Sequence, residues 1–148
     1  MTSLTLVRRF AARPSIVFEA ISTSEGVATW WGPHELPVVS AQVDARIGGG
    51  YRVRFRTLDG REHEAHGEFL DVSPPKRLVM TWAFSVGGEP EEDGRTSVIE
   101  IDVRRIDGGS ELTFTHSQLR NEISLASHQA GWIGALDKLV AQLGPAPG

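Results

Sequence analysis

The segment from Asn121 to Leu143, NEISLASHQAGWIGALDKLVAQL, keeps a helical rhythm for longer than any other part of the chain. Leu125, Gln129, Trp132, Leu136, Leu139 and Leu143 recur three or four apart, with Ile133 and Val140 widening the stripe, so one flank has to lie against apolar partners. At ~1.5 Å per residue such a helix runs ~35 Å, enough to cross a small domain. Asn121 can cap its start, Glu122 suits the first turn, and Gly144 followed by Pro145 ends it. The chain before it reads as strands, turns and two short helices. The fold therefore has to bury one face of a single long helix against β-structure.

Two interior glycines, Gly131 and Gly134, flank Trp132, and each costs the helix ~1 kcal/mol relative to alanine. Either a strand approaches the helix backbone closely, or the missing side chains leave space beside Trp132 for a ligand. His128 lies one turn before Trp132 and shares its flank. Such a histidine is a hydrogen-bonded boundary residue, a ligand anchor or a catalyst, in falling order of expectation.

Leu4 to Phe10 suits a strand, and Pro14 opens a short helix, SIVFEAIS, with Val17, Phe18 and Ile21 on one side. A second short helix is expected over Glu25 to Trp31, stopped by Gly32 and Pro33. Consecutive helical residues diverge by about 100°, so at most one of Trp30 and Trp31 should lie fully in the core, leaving the other for a pocket rim or an interface. From there the texture is strand: Leu36 to Asp44, Gly50 to Leu58, His63 to Val72, Arg77 to Phe84, Arg95 to Ile106 and Glu111 to Gln118. Gly48 to Gly50, Asp59-Gly60, Ser73-Pro74-Pro75, Gly87 to Gly94 and Asp107-Gly108-Gly109 supply the turns of an antiparallel meander.

Three strands show which side faces in. Leu78, Met80, Trp82 and Phe84 form one face of theirs, as do Ile99, Ile101 and Val103, and Leu112, Phe114 and His116. Seven antiparallel strands with one apolar face, together with one amphipathic helix, predict an α+β domain whose sheet curls around the helix. The space between them, open where the short helices lie, is where a ligand would go.

Composition narrows the function. A chain of 148 residues is one domain with a core of ordinary size. It has no cysteine, which removes disulfides, thiolate metal sites and cysteine nucleophiles. No stretch of about 18 apolar residues and no secretory leader is present, so no membrane span is expected and a cytoplasmic location is the default. A net charge of −4 from 15 basic and 19 acidic residues argues against nucleic acid as the main partner. Arg52, Arg54 and Arg56 alternate with Tyr51, Val53 and Phe55, giving one basic strand face that is either solvated or a docking surface for an acidic protein.

The motifs of common chemistries are missing. His63-Glu64-Ala65-His66 places its histidines three apart in a strand, on opposite faces, which excludes the metal geometry that a helix would give. There is no GxSxG elbow, no phosphate loop and no dinucleotide fingerprint, and no cofactor is called for. Candidate acid–base groups are His116, His128 and, depending on strand register, His66 or Glu68.

In chain order, ARPSIVFEAIS, WWGP at Trp30 to Pro33, RIGGGYRVRF, GEFLDVSPPKRLVMTW, LTFTH and HQAGWIGALDKL resemble the family related to the activator of heat-shock protein 90 ATPase. That family lies in the START-like (SRPBCC) superfamily, which shares the birch-pollen-allergen fold. The resemblance covers about Leu4 to Leu143. It implies a helix-grip fold: a seven-stranded antiparallel sheet, two short helices after the first strand, and a long C-terminal helix over a hydrophobic cavity. It also implies binding of a small hydrophobic or amphipathic molecule. Some relatives act as cyclases, aromatases or hydrolases, and the eukaryotic namesake is a co-chaperone with a further N-terminal domain. A homodimer is compatible with the family. The residues expected at the cavity are Trp31, Trp82, Phe114, His116, His128 and Trp132.

Overall fold

The computed structural model describes residues 2–32, 38–56, 60–86 and 96–146. In chain order it comprises β1 (Thr2–Phe10), α1 (Pro14–Ser22), α2 (Ser24–Val27), β2 (Val38–Val43), β3 (Gly50–Arg56), β4 (Glu62–Ser73), β5 (Arg77–Val86), β6 (Ser97–Ile106), β7 (Gly109–Leu119) and α3 (Glu122–Leu143). The strands form one seven-stranded sheet in the order β1-β7-β6-β5-β4-β3-β2, with every neighbouring pair antiparallel. This is the α+β sheet curled around one helix that the periodicities predict, and the helix-grip fold that the resemblance implies. Of the expected features, Pro33, the start of the second strand at Leu36, the end of the third at Leu58, Asp59 of its turn, the Gly87 to Gly94 turn and Arg95 lie outside the described residues.

Local chemistry sets the ends of the elements. Between β6 and β7 the turn is Asp107-Gly108, and Gly108 takes a φ of 82°, a left-handed value that a Cβ would oppose. Asn121 caps α3 by accepting a hydrogen bond from the Ser124 amide at 2.9 Å. Gly144 ends the helix at a φ of 88°, and its carbonyl accepts from the Ala11 amide at 2.9 Å, which joins the end of α3 to the end of β1.

Curvature comes from β4. Its ladder with β5 slips between Glu64 and Ala65 and again between Phe69 and Asp71, and such irregularities increase twist and bend a strand. Gly67, between the two slips, has to be glycine, because a Cβ there would stand 1.9 Å from the Thr81 carbonyl oxygen and 2.7 Å from the Tyr51 ring. The concave face holds Leu4, Phe10, Tyr51, Val53, Ala65, Phe69, Leu78, Met80, Trp82, Ile99, Ile101, Val103, Leu112 and Phe114, and α3 adds Trp132, Ala135, Leu136 and Leu139.

Three local expectations are corrected. The second helix ends at Val27, and hydrogen-bonded turns from Val27 to the amides of Trp30 and Trp31 replace its last turn. The 100° divergence therefore does not apply, and both tryptophans are buried, Trp30 at 0% and Trp31 at 3% exposure. Trp30 donates its indole N–H to the Ala20 carbonyl at 2.9 Å, which turns it towards α1, while Trp31 turns to the sheet and meets Tyr51 edge-on. Ile133 stands outside the buried stripe of α3, which runs instead through Ser124, His128, Trp132, Ala135, Leu136 and Leu139. Gly131 is exposed and a Cβ there would meet nothing within 4 Å, so close approach of a strand does not explain it.

Candidate functional site

All six residues expected at the cavity are brought together between the sheet and α3. Trp82 on β5, Phe114 and His116 on β7, His128 and Trp132 on α3, and Trp31 after α2 are all at most 7% exposed. Trp132 lies at the centre, with ring centroids 4.6 Å from Phe114, 5.1 Å from Trp82, 5.5 Å from Trp31 and 6.3 Å from His116. Trp31 also meets Trp82 and Tyr51 at 5.5 Å each, in tilted and edge-on geometries favoured by the aromatic quadrupole.

Two indole-to-imidazole hydrogen bonds tie the helix to the sheet. Trp82 Nε1 donates to His128 Nε2 at 3.1 Å, and Trp132 Nε1 donates to His116 Nδ1 at 3.1 Å. An indole only donates, so both accepting nitrogens carry no proton. The remaining protons are fixed by the other partners: His128 Nδ1 donates to the Ser124 carbonyl at 2.8 Å, and His116 Nε2 donates to Ser97 Oγ at 2.7 Å. The two rings are thus neutral and in opposite tautomers, with centroids 4.8 Å apart. Burial, and secondly the neighbouring His128, hold His116 well below the ordinary imidazole range. Burial likewise pushes the Tyr51 hydroxyl well above its ordinary range, and that hydroxyl donates to the Thr81 carbonyl.

One donor in the cluster has no acceptor. Trp31 Nε1 is buried without a hydrogen-bond partner among the described residues. The backbone of the same residue is held from the other side, where Lys138 Nζ donates to its carbonyl at 3.2 Å.

His63 was missed as an interior residue. It is 7% exposed on the concave face of β4, stacks on Phe55 at 5.5 Å and meets Phe84 at 6.0 Å, and Phe84 lies 5.8 Å from His128. The alternation His63, Ala65, Gly67, Phe69 carries that signal in the sequence. No group of three or more metal-ligating side chains forms among the described residues.

The register settles the other candidates. Glu64, His66 and Glu68 pair across from Arg54, Arg52 and Gly50 on the convex face, so His66 and Glu68 do not reach the interior. His66 Nδ1 is the second buried side-chain nitrogen without a partner among the described residues, on that outer face. Arg52, Arg54 and Arg56 are engaged there by acidic neighbours. Arg54 reaches Glu62 at 2.6 Å and Glu64 at 2.9 Å, Arg52 bonds Glu64, and Arg56 is 3.7 Å from Glu62. The Ser85 hydroxyl, followed by Arg54, lowers the Glu64 carboxyl to about 2.

Solved structures share this architecture along nearly the whole chain. Protein CV1439 from Chromobacterium violaceum superposes with a TM-score of 0.82 at 25% identity, covering 97% of each chain. The AHSA1 protein SPO3351 from Silicibacter pomeroyi does so at 0.82 and 27% identity, covering 96% of this chain and 97% of its own. Protein Ms6760 from Mycobacterium smegmatis reaches 0.80 at 21% identity, covering 95% and 87%, and shares the fold. No curated protein matches the chain. The model of one family, activator of Hsp90 ATPase homolog 1-like protein, matches residues 11–144, and the chain belongs to that family.

Proposed function

We propose that this protein binds a small, largely apolar molecule between the concave sheet face and α3, with Trp31, Trp82, Phe114 and Trp132 as walls and His116 and His128 as the polar frame. The observation that carries this reading is the unpartnered Trp31 N–H. A buried donor without an acceptor costs about 1–3 kcal/mol, and a ligand acceptor would recover that energy. The aromatic walls supply the rest, since apolar contact contributes roughly 25 cal/mol per Å² removed from water.

Two other readings have less support. Acid–base chemistry needs an imidazole nitrogen available to substrate, whereas both rings use both nitrogens within the protein. A co-chaperone-like surface built on Arg52, Arg54 and Arg56 would have to displace Glu62 and Glu64 first.

Native mass spectrometry of the purified protein tests the proposal. The expected spectrum contains a non-covalent adduct that is lost on denaturation and reduced in Trp132→Ala but not in Arg54→Ala. Equal retention in the two folded variants, or no adduct together with no thermal stabilisation by any uncharged aromatic compound tested, overturns it.

A further inference from the structure

We infer that the molecule held at this site is uncharged and is anchored by one hydrogen-bond acceptor placed against Nε1 of Trp31. This rests on the reading of the cluster as a ligand site, and it narrows the chemical class. Among the described residues, the other polar groups in contact with these tryptophans are already engaged: His128 by Trp82 and Ser124, His116 by Trp132 and Ser97, the Tyr51 hydroxyl by Thr81, and the Trp30 indole by Ala20. Among the described residues of the cluster the unused group is a donor, and an indole N–H can do nothing but donate. The ligand must therefore bring an acceptor and has no need of a donor.

Charge is excluded by the same contacts. A carboxylate placed among these rings would lose its hydration and meet no cation among the described residues of the cluster, a cost that exceeds one hydrogen bond. Protonating His116 or His128 to supply a counter-charge would turn a ring N–H against the indole N–H that it now accepts from. Lys138, half-buried on α3, directs its ammonium to the Trp31 carbonyl, on the backbone side of that residue. A ketone, ester or aryl ether fits these conditions, and an organic acid does not.

Three probes of nearly one shape separate the possibilities: 2-acetonaphthone with a neutral acceptor, 2-ethylnaphthalene with none, and 2-naphthoate with a charge. Dissociation constants would be measured by calorimetry on the wild-type chain and on a chain carrying 3-benzothienylalanine at position 31, which keeps the bicyclic shape and lacks the N–H. The ketone should bind about tenfold or more tightly than the other two, as a hydrogen bond to a buried donor allows. Its advantage over ethylnaphthalene should vanish in the benzothienyl chain. If the three bind alike, or naphthoate binds best, the inference falls while ligand binding itself stands. If the ketone keeps its advantage without the N–H, the anchor is not Trp31. If none binds either chain, both the inference and the ligand-site reading fail.

Discussion

Two tryptophans of the same cluster differ in one respect that stability measurements can read. Trp132 donates to His116 at 3.1 Å, whereas Trp31 donates to nothing among the described residues. Replacing either by phenylalanine removes one ring of a buried indole, a loss of about 1–2 kcal/mol from apolar contact and residual cavity. Trp132→Phe also leaves His116 Nδ1 buried and unpaired, which adds about 1–3 kcal/mol. Trp31→Phe instead removes a donor whose burial is already uncompensated, so part of its packing loss is returned. The ligand-free protein should therefore be destabilised by Trp132→Phe at least about 2 kcal/mol more than by Trp31→Phe, or roughly 4–8 °C in melting temperature at this chain length. Urea unfolding followed by far-UV circular dichroism, on protein refolded from denaturant to strip any ligand, gives both values without relying on the altered fluorescence. Equal costs, or a larger cost for Trp31→Phe, would refute the assignment of paired and unpaired indoles.

Further outcomes follow from the same contacts. Because His116 titrates lower in the folded protein than in the unfolded chain, the unfolded state binds more protons between the two values. Stability from this group is present above pH ~6.5 and is lost as pH falls below it, with a slope of about 1.4 kcal/mol per pH unit until the folded value is reached. Urea midpoints from pH 7.5 to 5.0 should show a steeper decline in the wild type than in His116→Gln, and parallel declines would contradict the neutral, buried imidazole. Gly131→Ala, on an exposed helical turn where a Cβ meets nothing, should stabilise by about 1 kcal/mol. Gly67→Ala forces a Cβ against the Thr81 carbonyl and should destabilise by more than that amount, and thermal melts with the opposite ranking would show that β4 is not bent as described.

The sequence alone determined the period of each element and the side it buries. The spacing along Asn121 to Leu143, the alternation in Leu78 to Phe84 and Leu112 to His116, and turn chemistry such as Asp107-Gly108 are local properties, readable because backbone geometry repeats every 3.6 or 2 residues. They were enough to predict seven antiparallel strands curled about one helix, while the choice of Trp31, Trp82, His116, His128 and Trp132 came from the resemblance to a known family. Tertiary structure decided what those residues do to one another. Whether an indole N–H meets an imidazole nitrogen, as from Trp82 to His128 across 46 positions of chain, depends on register and helix placement to within an ångström, and no local pattern carries that information. The same holds for Trp30 and Trp31, whose joint burial required α2 to stop at Val27, and for Trp31 Nε1, whose lack of a partner is visible only once every neighbour is in place. Burial is a property of a face and can be read from a repeat; satisfaction of a buried polar atom is a property of a meeting point, which only the folded chain creates.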